Sequence, residues 1–154
     1  MVHHVVREQL AESLSKAVKE QDKRRTGMFR LINAAIKDRD IADRSEGRDV
    51  AGEDEILQIL VKMIKQRKES VRSYDEAGQF DMAEREREEI AIIKELLPAQ
   101  LNWGEMEQAC RQVVEETDAK GLRDVGRCMN KLKARYPGQM DFGEASSVVK
   151  TLLK

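Results

Sequence analysis

From Val6 the apolar residues recur as Val6, Leu10, Leu14, Ala17 and Val18, at the threes and fours that place side chains on one face of a helix. This spacing predicts a first helix ending near Gln21, with Asp22 placed to cap a second through its carboxylate. The second helix turns Met28, Leu31, Ile32, Ala35 and Ile36 toward a core. Periodicity is lost from Ser45 to Gly52, which reads as a polar, mobile loop. Gly52 with Glu55 resembles a weakened capping box for a long third helix, which carries Ile56, Leu57, Leu60, Ile64, Val71 and Tyr74 inward. Gly78 supplies the left-handed position that ends it. Asp81 and Glu84 read as a capping box for a fourth helix that buries Ala83, Ile90, Ile93 and Leu97 and stops at Pro98. Its outer face, Glu84 to Glu89, alternates acid with arginine and reads as solvated and internally paired.

Past the connector Pro98-Ala99-Gln100, the run Leu101-Asn102-x-x-Glu105-Met106 is a helix start. Asn102 caps, Glu105 reaches back, and Leu101 staples onto Met106. A fifth helix runs through Cys110, Val113 and Val114 to near Gly121. A sixth carries Leu122, Val125, Met129, Leu132 and Tyr136. Pro137-Gly138 is a turn, and a seventh helix buries Ala145, Val148, Val149 and Leu152. The expected fold is all-α, with an N-terminal four-helix part over residues 1–97 and a small three-helix domain over residues 101–154.

Composition agrees. The chain has 154 residues, 37% charged, 40% hydrophobic and only 4% aromatic, which is the make-up of solvated helices and poor in the residues that strands favour. No apolar run approaches the ~20 residues that a membrane span needs, so no membrane partner is expected. The start Met1-Val2-His3-His4 lacks the apolar stretch of a signal peptide. Two cysteines, Cys110 and Cys128, make neither a C-x-x-C pair nor a disulfide framework, and a cytoplasmic location is the simplest expectation.

Candidate chemistry is sparse. The only histidines are His3 and His4, with no cysteine or carboxylate at ligand spacing nearby, so no metal site is expected. Cys110 and Cys128 fall on apolar helix faces without a histidine to activate them, and read as small buried hydrophobes. Walker-type, G-x-S-x-G and G-x-G-x-x-G motifs are absent. No catalytic residue and no cofactor is assigned.

Charge distribution changes the picture at one place. Net charge is −1, yet between Lys120 and Arg135 six cations (Lys120, Arg123, Arg127, Lys131, Lys133 and Arg135) meet a single acid, Asp124, for a local +5. Arg123, Arg127, Lys131 and Arg135 recur every fourth residue and so form one row on a helix. Such a row suits a phosphate backbone, although an ordinary exposed helix face has the same appearance. Gly126 sits inside this helix, where it weakens the structure unless a neighbouring helix or a ligand backbone must come close.

A family resemblance adds to this. The stretch from Ile56 to Leu97, with Lys65-Gln66-Arg67-Lys68-Glu69-Ser70, Tyr74, Gly78, Glu84, Glu86, Glu88, Glu89 and Leu96-Leu97-Pro98-x-Gln100-Leu101, resembles the YqeY proteins. So do Lys37-Asp38-Arg39-Asp40-Ile41, Val125-Gly126-x-x-Met129 and Gly138-Gln139-Met140-Asp141. The resemblance implies a C-terminal domain similar to the tail of GatB, the tRNA-handling subunit of the tRNA-dependent glutamate/aspartate amidotransferase. Gly126, Met129, Lys131 and Lys133 match that tail's motif. GatB's kinase-like catalytic domain and an amidase motif have no counterpart here. The expected function is therefore a non-catalytic module binding tRNA or another structured RNA through Arg123, Gly126, Arg127, Lys131, Lys133 and Arg135. A helical adaptor that binds a protein partner through its N-terminal helices is the alternative, and a subunit of a glutamine-dependent carbon–nitrogen ligase ranks last.

Overall fold

A computed structural model describes residues 5–154; His3 and His4 lie outside the described residues. Seven α-helices follow one another among them, with no strand: α1 (Val5–Lys19), α2 (Lys23–Ser45), α3 (Glu53–Glu76), α4 (Phe80–Lys94), α5 (Trp103–Glu116), α6 (Val125–Arg135) and α7 (Phe142–Leu152). The chain divides into two compact units, Met1–Pro98 and Ala99–Lys154, holding α1–α4 and α5–α7 respectively.

In the first unit Phe29, Ile32, Ile36, Ile56, Leu60 and Ile93 are shut off from solvent. Leu31, expected inward, is 48% exposed. The cause is Phe29: with Met28, Ile32 and Ile36 it defines a face whose centre lies about 110° from Leu31 at ~100° per residue. Val18 is likewise outward, one residue past the buried Ala17, as α1 closes. Gln21, rather than a glycine, takes the left-handed position there, with φ 57°. Asp22 caps α2 as expected, its carboxylate accepting the Arg25 N–H at 3.1 Å. The box expected at Asp81 and Glu84 does not form. α4 begins two residues earlier, at Phe80, Gln79 is the cap residue without a side-chain bond, and Asp81 instead lies in the first turn, where its charge favours the helix dipole.

The face of α2 continues past Ile36 into two buried acids, Asp40 and Asp43. Asp40 accepts two hydrogen bonds from the Arg7 guanidinium, at 3.0 and 2.9 Å, and one from the Ala51 N–H at 2.9 Å. Asp43 accepts from Arg39 Nε at 3.1 Å. The Arg48 N–H donates to the Asp43 carbonyl at 2.8 Å. The stretch between α2 and α3 is thus held by hydrogen bonds at Arg48 and Ala51, which its polar composition does not announce. Gly52 caps α3 without a side chain, and Glu55 turns to Arg39 at 3.5 Å instead of closing a box. Glu53 of the same first turn accepts the Val6 N–H at 3.1 Å and ties α1 to α3.

The second unit buries Met106, Ala109, Cys110, Val113, Cys128, Met129, Leu132, Met140, Ala145, Val149 and Leu153 in one cluster, with Leu101 packed against it. Its capping box is the one expected. Asn102 accepts from the Glu105 N–H at 2.8 Å and Glu105 from the Asn102 N–H at 3.0 Å. Asp141 caps α7, its carboxylate accepting the Glu144 N–H at 3.0 Å. Gly138, with φ 71°, makes the turn after Pro137.

Candidate nucleic-acid interface

The cationic face is built on α6, whose Cys128, Met129 and Leu132 are buried against α5 and α7. Packing on that side holds Arg127, Lys131 and Arg135 outward, one helical turn apart. Arg123 is not on this helix. It belongs to a short 3₁₀ turn, Leu122–Asp124, that precedes it. The turn is drawn tight by Asp124, whose carboxylate accepts the N–H groups of Lys120 at 2.9 Å and Gly121 at 3.2 Å. These bonds, with a nearby arginine, hold the Asp124 carboxyl below its usual range. Leu122, expected on the buried face, is turned out by this geometry and is 54% exposed. Lys133 is exposed on the other flank of α6, about 160° round from Lys131 at ~100° per residue.

Three members of the row have partners within the unit. Arg135 makes a bidentate pair with Glu116 of α5, at 2.7 and 3.3 Å, and Lys131 Nζ reaches the same carboxylate at 3.2 Å. Arg127 donates to the Thr117 carbonyl at 2.9 Å and lies 3.4 Å from Asp124. Lys120 stands 3.9 Å from Asp118. Among the described residues, Arg123 and Lys133 have no carboxylate at ion-pair distance. Counting Glu116 and Asp118 with Asp124, six cations face three acids and the local charge falls from +5 to +3.

Glu116 is the centre of this arrangement. Hydrogen bonds from Arg135 and then Lys131 pull its carboxyl down to about 2. A depressed acid of this kind supports the folded state above the ordinary carboxylate range and loses that support as pH falls from about 4.5 toward 2. At neutral pH the carboxylate is charged and in place, so it competes with any anion for Lys131 and Arg135.

Gly126 is exposed, and a Cβ added there would meet nothing within 4 Å. No neighbouring helix therefore demands a glycine at this position. Gly126 is the second residue of α6, so Gly126→Ala is expected to raise thermal stability by less than the ~1 kcal/mol of a helix interior. If an RNA backbone lies against this turn, the same change weakens RNA binding. A melting curve and a binding titration on one variant separate the two effects.

Both cysteines are buried. Burial pushes the Cys110 thiol up to about 11, so it is protonated at neutral pH and packs beside Met106. Among the described residues no group of three or more histidines, cysteines or carboxylates could hold a metal ion, and no helix is long and apolar enough to cross a membrane.

A family model described as "Yqey-like protein" matches residues 7–153, nearly the whole chain. No protein of curated function matches it.

Proposed function

The chain belongs to the YqeY family, and on that premise we propose that it is a non-catalytic accessory module that binds tRNA or another structured RNA through its C-terminal three-helix unit. The observation that carries this reading is a row of cations held outward by a packed helix. Arg127, Lys131 and Arg135 project from the solvent side of α6, while its other side is anchored by Cys128, Met129 and Leu132. Arg123 extends the positive surface at the N-terminal end of the row, while Lys133 stands on the opposite flank of α6.

The internal ion pairs do not remove the row from solvent. The side chains of Arg127, Lys131 and Arg135 remain 55%, 40% and 34% exposed. Exposed pairs contribute little to stability, because water solvates both partners well. Exchanging a carboxylate for a phosphate replaces one ion pair with another and also releases counterions from the nucleic acid. A rigid helix further spares the row most of the ordering cost of binding.

The test is a titration of purified full-length protein with tRNA at about 50 and 200 mM salt. With four to six phosphate contacts the affinity is expected to fall on the order of a hundredfold or more between them. Absence of binding at the lower salt, or an affinity indifferent to salt, overturns the reading.

A further inference from the structure

Helices α3 and α4 extend well beyond the core that they help to form. Buried positions on α3 end at Ile64, and on α4 they resume at Ile90. Between these, only Ala83 is buried, with Val71 and Tyr74 half-covered. Twelve residues of helix separate Ile64 from Glu76, carrying the hairpin about 18 Å further at ~1.5 Å per residue. Ion pairs stiffen this arm. Arg67 joins Glu89 at 2.9 Å near its base, and Arg87 joins Asp75 at 2.5 Å near its tip. Gly78, with φ 73°, closes the turn, where the Gln79 N–H donates to the Tyr74 carbonyl at 2.8 Å.

The tip presents large apolar groups to water: Phe80 is 65% and Met82 39% exposed. Around them stand Asp75, Glu76, Asp81 and Glu84, with no cation anywhere from residue 75 to residue 84. Arg87, just behind, neutralises part of this charge through Asp75 and Glu84.

We infer that this tip is a docking point for a protein partner whose apolar pocket is rimmed by lysine or arginine. Phe80 is the anchor and the acids set orientation. An aromatic side chain on a rigid support loses little freedom on binding and gains the burial that its exposure forgoes. The acidic surround repels RNA. It also opposes pairing with the tip of a second copy, since two surfaces of the same sign would meet. This inference is independent of the RNA reading, which concerns the other unit.

The test places the photo-crosslinker p-benzoylphenylalanine at position 80 of the full chain in its native cells. The same group at the exposed Ile41 is the control. The cross-linked protein is identified and purified, and its affinity is measured for the wild type, for Phe80→Ala and for Asp81→Lys/Glu84→Lys. Expected are a protein adduct from position 80 that position 41 does not give, and a loss of affinity of about tenfold or more for each variant. Circular dichroism should be unchanged, because all three side chains are exposed. The inference is overturned by absence of an adduct, the same adduct from position 41, adducts only with RNA or a second copy, or affinities within twofold of wild type.

Discussion

Replacing Asp40 by alanine is expected to lower the unfolding free energy of the N-terminal unit by about 3 kcal/mol, at the lower end of what losing one partner of a buried ion pair costs. The carboxylate is 13% exposed and accepts hydrogen bonds from both terminal nitrogens of Arg7 and from the Ala51 N–H. Alanine leaves the Ala51 N–H, on a fully buried residue, without its acceptor. It also strands a guanidinium only 27% exposed whose Nε already lacks a partner. Of the ties that remain, the Ala51 carbonyl still accepts from Arg7 at 2.9 Å. Urea unfolding measures the loss. A change below 0.5 kcal/mol, the scale of an ordinary surface substitution, would show that the network does not hold the segment between α2 and α3. Arg7→Met alone and combined with Asp40→Ala completes a cycle in which the double replacement should cost clearly less than the two single losses together.

The same pair sets a dependence on pH. The Arg7 hydrogen bonds, followed by that from Ala51, hold the Asp40 carboxyl below its usual range. Its contribution is therefore complete above the ordinary carboxylate range and is lost as pH falls through the lowered folded value. Stability curves of wild type and Asp40→Ala should converge in acid and separate toward neutrality.

Helices were legible because apolar spacing alone reports them, and the Asn102–Glu105 box because both of its members are polar residues at a diagnostic separation. What escaped has identifiable physical causes. Asp40 and Asp43 continue the Ile36 stripe at steps of four and three, but a hydropathy pattern ends where polar residues begin. Asp40 lies in Lys37-Asp38-Arg39-Asp40-Ile41, a stretch that carries a family resemblance but no local sign of burial; its partner Arg7 lies 33 residues away, beyond any local pattern. Leu31 and Leu122 each satisfy a spacing rule yet face solvent, because a competitor, Phe29 in one case and the Asp124 turn in the other, decides the rotation of the backbone. The cation row was legible as charge in sequence. The pairing of Lys131 and Arg135 with Glu116 was not, since that acid belongs to another helix, and it changes what the row can do.

Opposite changes at the two sides of that pairing should therefore move RNA affinity in opposite directions. Replacing Arg123, Arg127 and Lys131 together by glutamate converts three positive charges to negative, taking the local balance from +3 to −3, and is expected to abolish measurable tRNA binding. The fold should persist, as all three side chains are solvent-accessible and the buried side of α6 is untouched. Glu116→Gln keeps the size of the side chain but removes the charge that holds Lys131 and Arg135. Both cations then become available to phosphates, so affinity at low salt should rise roughly tenfold. The slope of log affinity against log salt should change little, because the same phosphates are neutralised whether or not Glu116 must first be displaced. Fluorescence anisotropy with labelled tRNA at several salt concentrations gives both quantities. Wild-type affinity in the triple variant would remove α6 from the interface. A Glu116→Gln protein that binds no better would mean that Lys131 and Arg135 meet no phosphate, leaving Arg123, Arg127 and Lys133 as the cations of the interface.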